Sequence, residues 1–138
     1  MSDLKSDVAL ATNLLGRDSE ICRLAKFKTR DDKALRLVPM RQQPNPSFTD
    51  PLISVWVRGG VNLGGKTTSN TLLVDIYTPL TVQRATGVGY DIAKRVCEVL
   101  DGASVGRGLE FYNIDPDRPT TTGWHKATVQ FTFRSIFY

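Results

Sequence analysis

The sequence predicts an α+β fold: a mostly antiparallel sheet of about four or five strands, with two principal helices on one face. Three observations predict it. First, Leu52–Arg58 (LISVWVR) sets Ile53, Val55 and Val57 against Ser54, Trp56 and Arg58, while Leu72–Thr78 (LLVDIYT) sets Leu72, Val74 and Ile76 against Leu73, Asp75 and Tyr77. A period of two with β-branched residues marks half-buried strands. Second, Arg84–Asp101 repeats Ala85, Val88, Ile92, Val96 and Val99/Leu100 at helical spacing, with Gly102 as a left-handed stop. Third, Trp124–Phe137 places His125, Ala127, Val129, Phe131 and Phe133 on one side and Lys126, Thr128, Gln130, Thr132 and Arg134 on the other. That is a long strand with a dry and a wet face.

In chain order, Ser2–Leu15 reads as an amphipathic helix with Leu4, Val8, Ala11 and Leu14/Leu15 on one side, Ser2 as N-cap and Gly16 as its end. Asp18–Phe27 is ambiguous and fits a helical turn or two. Lys28–Lys33 reads as a charged turn, and Ala34–Met40 (ALRLVPM) as a strand with Pro39 at its exit. Arg41–Pro51 (RQQPNPSFTDP) has three prolines and little to bury, so it reads as an extended arm or surface loop. Gly59–Asn70, between the first two strands, is glycine-rich and polar and reads as a hairpin loop. After Gly102, Leu109–Ile114 is a further strand and Asp115–Gly123 a turn-rich connection. On a two-helix cover, the other sheet face is polar with Trp56 or Tyr77 on it, which suits contact with another subunit.

All 138 residues fit one domain, with 41% hydrophobic and 23% charged residues, ordinary for a globular chain. No apolar run reaches membrane-spanning length and the N-terminus lacks a signal-peptide pattern, so the expected site of synthesis is the cytoplasm. Cys22 and Cys97 read as two buried reduced thiols. The net charge of +4 is uneven: residues 1–66 carry 11 basic against 7 acidic residues, residues 67–138 carry 7 against 7. The excess lies in Arg23, Lys26, Lys28, Arg30, Lys33, Arg36 and Arg41. Such a run suits a solvated face, or contact with nucleic acid or an acidic protein.

Gly60-Val61-Asn62-Leu63-Gly64-Gly65-Lys66-Thr67 matches the phosphate-binding pattern G-x-x-x-x-G-K-[ST]. That chemistry requires a helix opening at the Lys-Thr, whose amides hold the phosphates. Here Thr67–Thr71 runs directly into an alternating strand, too close for a parallel crossover. The text of the motif therefore predicts a hairpin rather than a nucleotide site. The single histidine, His125, falls on an apolar strand face and reads as a core or edge residue. No metal-ligand spacing and no G-x-S-x-G elbow occurs. Neither a catalytic residue set nor a cofactor is expected.

The order of segments carries a resemblance. LRLVPMRQQPNP, PLISVWV, a strand ending DIYTP, a helix ending IAKRVCEVLD and a final ATVQFTFRSIF follow one another from about Ala34 onward. This resembles the tail terminator, or tail completion, proteins of long-tailed bacteriophages and related head–tail joining proteins. The departures are the Gly59–Asn70 insertion and the glycines Gly87 and Gly89 early in the main helix.

The resemblance implies a structural virion protein, not an enzyme, assembled in the host cytoplasm. It would form a ring of six copies that caps the tail tube, ends its growth and joins the tail to the head connector. Its partners would be itself, the tail-tube protein and the connector, with DNA only passing through the lumen and touched at phosphate alone. The expected contact residues are Arg41, Gln42, Gln43, Pro44, Asn45, Pro46 and Phe48 in the arm. In the hairpin loop they are Gly59, Gly60, Asn62, Leu63, Gly64, Gly65 and Lys66. Another ring-forming neck or tube component is the alternative; a nucleotide or nucleic-acid binder is the third reading.

Overall fold

The computed structural model describes residues 4–64, 67–105, 108–118, 120 and 123–136. The order of elements is α1 (Leu4–Arg17), α2 (Ser19–Ala25), α3 (Arg30–Arg36), β1 (Leu37–Val38), β2 (Leu52–Gly64), β3 (Thr67–Pro79), α4 (Leu80–Thr86), α5 (Val88–Leu100), β4 (Glu110–Arg118) and β5 (Trp124–Ile136). The fold is α+β, with a five-stranded sheet in the order β1-β2-β3-β5-β4. Only β1–β2 is parallel; every other pair is antiparallel. The two principal helices expected from the sequence are α1 and α5, and three short helices accompany them.

The alternation in β2, β3 and β5 has the effect expected of it. Ile53, Val55, Leu72, Val74, Ile76, Ala127, Val129, Phe131 and Phe133 all point to one face. There they form a single core with Val8, Ala11 and Leu15 of α1, Ile21 and Ala25 of α2, and Ile92, Ala93, Val96 and Leu100 of α5. Burial of these side chains from water is the main force holding helices to sheet. An ion pair reinforces the helical layer: Arg95 of α5 donates to both Asp18 oxygens at 3.0 and 2.7 Å. Asp18 also caps α2, accepting from Ile21 N at 3.0 Å. The Arg95 guanidinium beside it holds the Asp18 carboxyl below the usual range.

Several local readings give way to capping and packing. The turn expected over Lys28–Lys33 and the strand over Ala34–Met40 are instead α3 followed by a two-residue β1. Thr29 caps α3 by accepting from Asp32 N at 3.0 Å, and Asp31 and Asp32 favour its first turn. Gly16 does not end α1, which runs to Arg17. A Cβ there would lie 3.2 Å from the Leu37 side chain, so this glycine admits β1 rather than stopping a helix. The one long helix expected over Arg84–Asp101 is broken into α4 and α5 at Gly87, whose φ of 65° caps α4. Gly102 takes the left-handed conformation expected of it, with φ 79°. The strand expected to end at Ile114 continues to Arg118. Cys22 and Cys97 are free thiols, half-buried rather than buried. Burial first, and then Asp101, pushes the Cys97 thiol up.

Arg36 is the largest departure, because the basic run was expected to be solvated. Its side chain is buried, 4% exposed. It donates to the carbonyls of Ala25 (2.6 Å), Lys26 (2.8 Å) and Pro51 (2.8 Å), and to Asp32 by two bonds of 2.8 and 2.7 Å. The guanidinium also stacks on Phe27 at 4.8 Å. Arg36 and then the Lys28 backbone N–H hold the Asp32 carboxyl down to about 2.

Two predictions follow from these contacts. Because Asp32 titrates lower in the folded than in the unfolded chain, its contribution is complete above about pH 4 and is lost as pH falls towards 2. In urea titrations at a series of pH values, Asp32→Asn should be less stable than the parent at pH 6 and converge with it across that window. Phe131, fully buried against the helices, should cost about 3–5 kcal/mol on substitution by alanine. A melt within a degree or two of the parent would place the core elsewhere.

Candidate interaction surfaces

The second face of the sheet carries no helix among the described contacts, yet much of it is dry. Leu52, Ser54, Leu73, Asp75, Tyr77, Thr128 and Gln130 point there and are buried. The face expected to be wet is therefore a polar network. Asp75 is its centre, 1% exposed. Trp56 Nε1 donates to Asp75 Oδ2 at 2.8 Å, Thr128 Oγ1 donates to Oδ1 at 2.6 Å, and Lys126 Nζ stands 3.8 Å away. The register explains the meeting: Asp75 pairs directly with Ser54 on one side and Thr128 on the other. Lys126 also lies over the Tyr77 ring at 5.2 Å and Arg41 over the Trp56 ring at 4.8 Å. Burial, with Asp75 adding to it, pushes the Tyr77 phenol up to about 12.

The arm over residues 41–51 is irregular, as expected, but it is not free. Gln42 N donates to Ser54 Oγ at 3.0 Å, and Ser54 Oγ donates to Met40 O at 2.6 Å. Phe48 packs with Val38, Leu52, Tyr77 and Trp124 in a second small apolar cluster. An Asn45 turn, accepting from Ser47 N and Oγ, presents that ring. Arg41, Gln43, Asn45 and Pro46 are exposed along the arm, while Gln42, Pro44 and Phe48 are half-buried. This segment has little to bury. Phe48 alone suffices to lay it across its own sheet.

The expected loop over Gly59–Asn70 is corrected. β2 runs to Gly64 and β3 begins at Thr67, with Arg58↔Thr71, Val61↔Ser69, Asn62↔Thr68 and Gly64↔Thr67 in register. β5 extends alongside to Ile136↔Thr67, so the segment is one end of a three-stranded ribbon. The extra residues are absorbed as register shifts between Arg58 and Val61 and between Asn62 and Gly64, where glycine permits bulges. Gly59, Gly60, Asn62, Leu63 and Gly64 thus lie in β2, while Gly65 and Lys66 lie outside the described residues. The residue after Lys66 opens a strand. No helix N-terminus forms there to receive a phosphate.

A third polar cluster, unforeseen in the sequence, joins α5 to β4 and β5. Asp117 Oδ1 accepts from Tyr90 OH at 2.7 Å and lies 2.8 Å from His125 Nε2. Tyr90 first, and then His125, holds the Asp117 carboxyl below its usual range. On the inner side, Gly89 N donates to Gln83 Oε1 at 2.8 Å. A Cβ on Gly89 would lie 2.7 Å from Gln83 Oε1, 2.9 Å from Thr78 Oγ1 and 3.1 Å from His125 Nδ1. That crowding accounts for Gly89, which the sequence showed only as an oddity. Among the described residues no three His, Cys, Asp or Glu side chains converge as a metal would need. No helix there is long and apolar enough to cross a membrane.

No protein-family model matches this sequence, and no curated protein matches it.

Removing the centre of the buried network should be costly. Asp75→Ala strands the Trp56 indole N–H, the Thr128 hydroxyl and the Lys126 ammonium, and the expected loss is about 3–5 kcal/mol. Chemical denaturation followed by tryptophan fluorescence measures it. Asp75→Asn, which keeps an acceptor, should lose less.

Proposed function

We propose that this protein is a structural component of a long-tailed phage virion, a ring at the head-proximal end of the tail tube that ends tube growth and joins the tail to the head connector. The observation that carries the reading is where the resembling segments fall. LISVWV opens β2, DIYTP closes β3, IAKRVCEVL ends α5, and ATVQFTFRSI, up to Ile136, completes β5. They make one framework, the central strands and the long helix behind them. On it sit the arm over 41–51 and the ribbon end of β2 and β3, which are surfaces rather than a cleft. A protein built this way acts by occupying surfaces, and contacts of this kind close into rings when the rotation between copies closes. The ribbon end and the arm would meet the tube, the connector or a neighbouring copy.

Deletion of the gene should leave filled heads without tails, together with tails of uncontrolled length. A second variant isolates the ribbon. Val61 and Ser69 are register partners, so a two-residue Asn-Gly turn in place of residues 62–68 can join them while Asn70 keeps its pairing with the core residue Phe133. That variant should fold and melt close to the parent yet fail to join heads to tails in electron micrographs of lysates. Normal-length tails attached to heads in both strains would overturn the proposal.

A further inference from the structure

The two margins of the sheet are unlike, and they match each other. On one margin β1 covers only Ile53 and Ser54, so no described strand pairs with the outer side of β2 from Val55 to Gly64. On the other margin β4 pairs with β5 alone. It is otherwise tied near its two ends, where Phe111 N donates to Asp101 Oδ1 at 3.0 Å and Asp117 accepts from Tyr90 OH at 2.7 Å. Unpaired margins of this length are templates for another strand.

Exposed apolar side chains collect at these same margins. Leu35 (60% exposed) and Met40 (58%) flank β1, whereas Tyr112 (65%), Phe111 (43%) and Ile114 (37%) lie on β4. Charge separates in the same way. Residues 26–41, which lead through α3 into β1 and on to the start of the arm, hold six basic against two acidic residues. Arg36 and Asp32 neutralise each other inside the fold, which leaves five basic residues against Asp31. Residues 110–118 of β4 hold three acidic residues against one basic.

The strand directions complete the match. β2 is antiparallel to β3, β3 to β5 and β5 to β4, so β4 runs opposite to β2. A second copy placed beside the first in the same orientation would therefore bring its β2 antiparallel to β4, continuing the sheet with the pairing already used inside it.

We infer that copies of this chain associate head to tail, with the acidic, aromatic β4 margin of one seated on the basic β1–β2 margin of the next. The two patches differ, so the contact is heterologous rather than self-complementary. It repeats around an axis until it closes. The closure into a ring rests on the functional reading above; the pairing of the two margins does not. The steering is electrostatic and the seat apolar, so association weakens with added salt but is not abolished by it.

Two variants test it, each altering exposed positions on one margin. Variant one carries Tyr112→Asp and Ile114→Asp on β4; variant two carries Leu35→Asp and Met40→Asp beside β1. Circular dichroism and melting temperature check that both fold. By sedimentation velocity and native mass spectrometry, the parent should form a discrete oligomer and each variant alone a monomer. Mixed one to one, they should form a dimer of one copy each and nothing larger, because a single intact pair of margins remains. Self-association of either variant alone overturns the inference, as does a mixture that stays monomeric or a parent that is monomeric at its highest soluble concentration. A parent and variants that behave as expected, alongside normal tails in the gene deletion, would leave the inference standing and remove the phage role.

Discussion

A buried guanidinium holds the entry to the sheet. Arg36 terminates α3, yet three of its hydrogen bonds go to backbone carbonyls that no regular structure satisfies, those of Ala25, Lys26 and Pro51. The first two are carbonyls at the end of α2; the third immediately precedes β2. One side chain thus sets the spacing between the helical layer, the two-residue β1 and the first long strand. A charge buried to this degree is tolerated because Asp32 neutralises it with two bonds and the carbonyls complete its donor set. Lysine could not replace it, since a single ammonium cannot span acceptors lying in so many directions.

The two faces of the sheet are held by different physics. The helix-covered face is apolar and stabilised by area removed from water. The opposite face is held by specific polar contacts around Asp75 and by the arm, whose Phe48 closes over Tyr77 and Leu52. This second face is dry without a second layer of helices. The consequence is that its buried polar groups fix strand register, since a one-residue slip would move Asp75 away from both Trp56 and Thr128.

Where side-chain period decided structure, the sequence was legible. β2, β3, β5 and α5 follow from alternation or from helical spacing, and most residues named from those patterns are the core, though Ala85 is exposed and Val57, Val88 and Val99 are only partly buried. Legibility failed wherever a single atom or cap decided. Nothing in the sequence distinguishes Arg36 from its solvated neighbours; only the free carbonyls around it do. Polarity hid the strand character of Gly59–Asn70, because ladder hydrogen bonds belong to the backbone and β5 was available to supply them. Gly87 and Gly89 stood out as irregular within a helical pattern: Gly87 supplies the left-handed cap of α4, whereas the reason for Gly89 lies in the crowding of Gln83, Thr78 and His125 around it. The contact surfaces were half legible. The arm was named from Arg41, although the irregular stretch begins where β1 ends at Val38, and Leu109–Ile114 was named as a strand without notice of its exposed aromatic side chains.

The position of β5 bears on how the molecule is made. It is the last of the described strands in chain order, yet it lies inside the sheet, between β3 and β4. Until it emerges from the ribosome, β3 has one unpaired margin and β4 has no partner at all. A nascent chain can therefore form the β2–β3 hairpin and its helices early, but it cannot complete the surface that β4 presents. A truncated product would be left with an open β3 margin in the middle of its sheet. The aromatic edge therefore exists only in chains that have reached and paired β5, because β4 has no other strand to hold it.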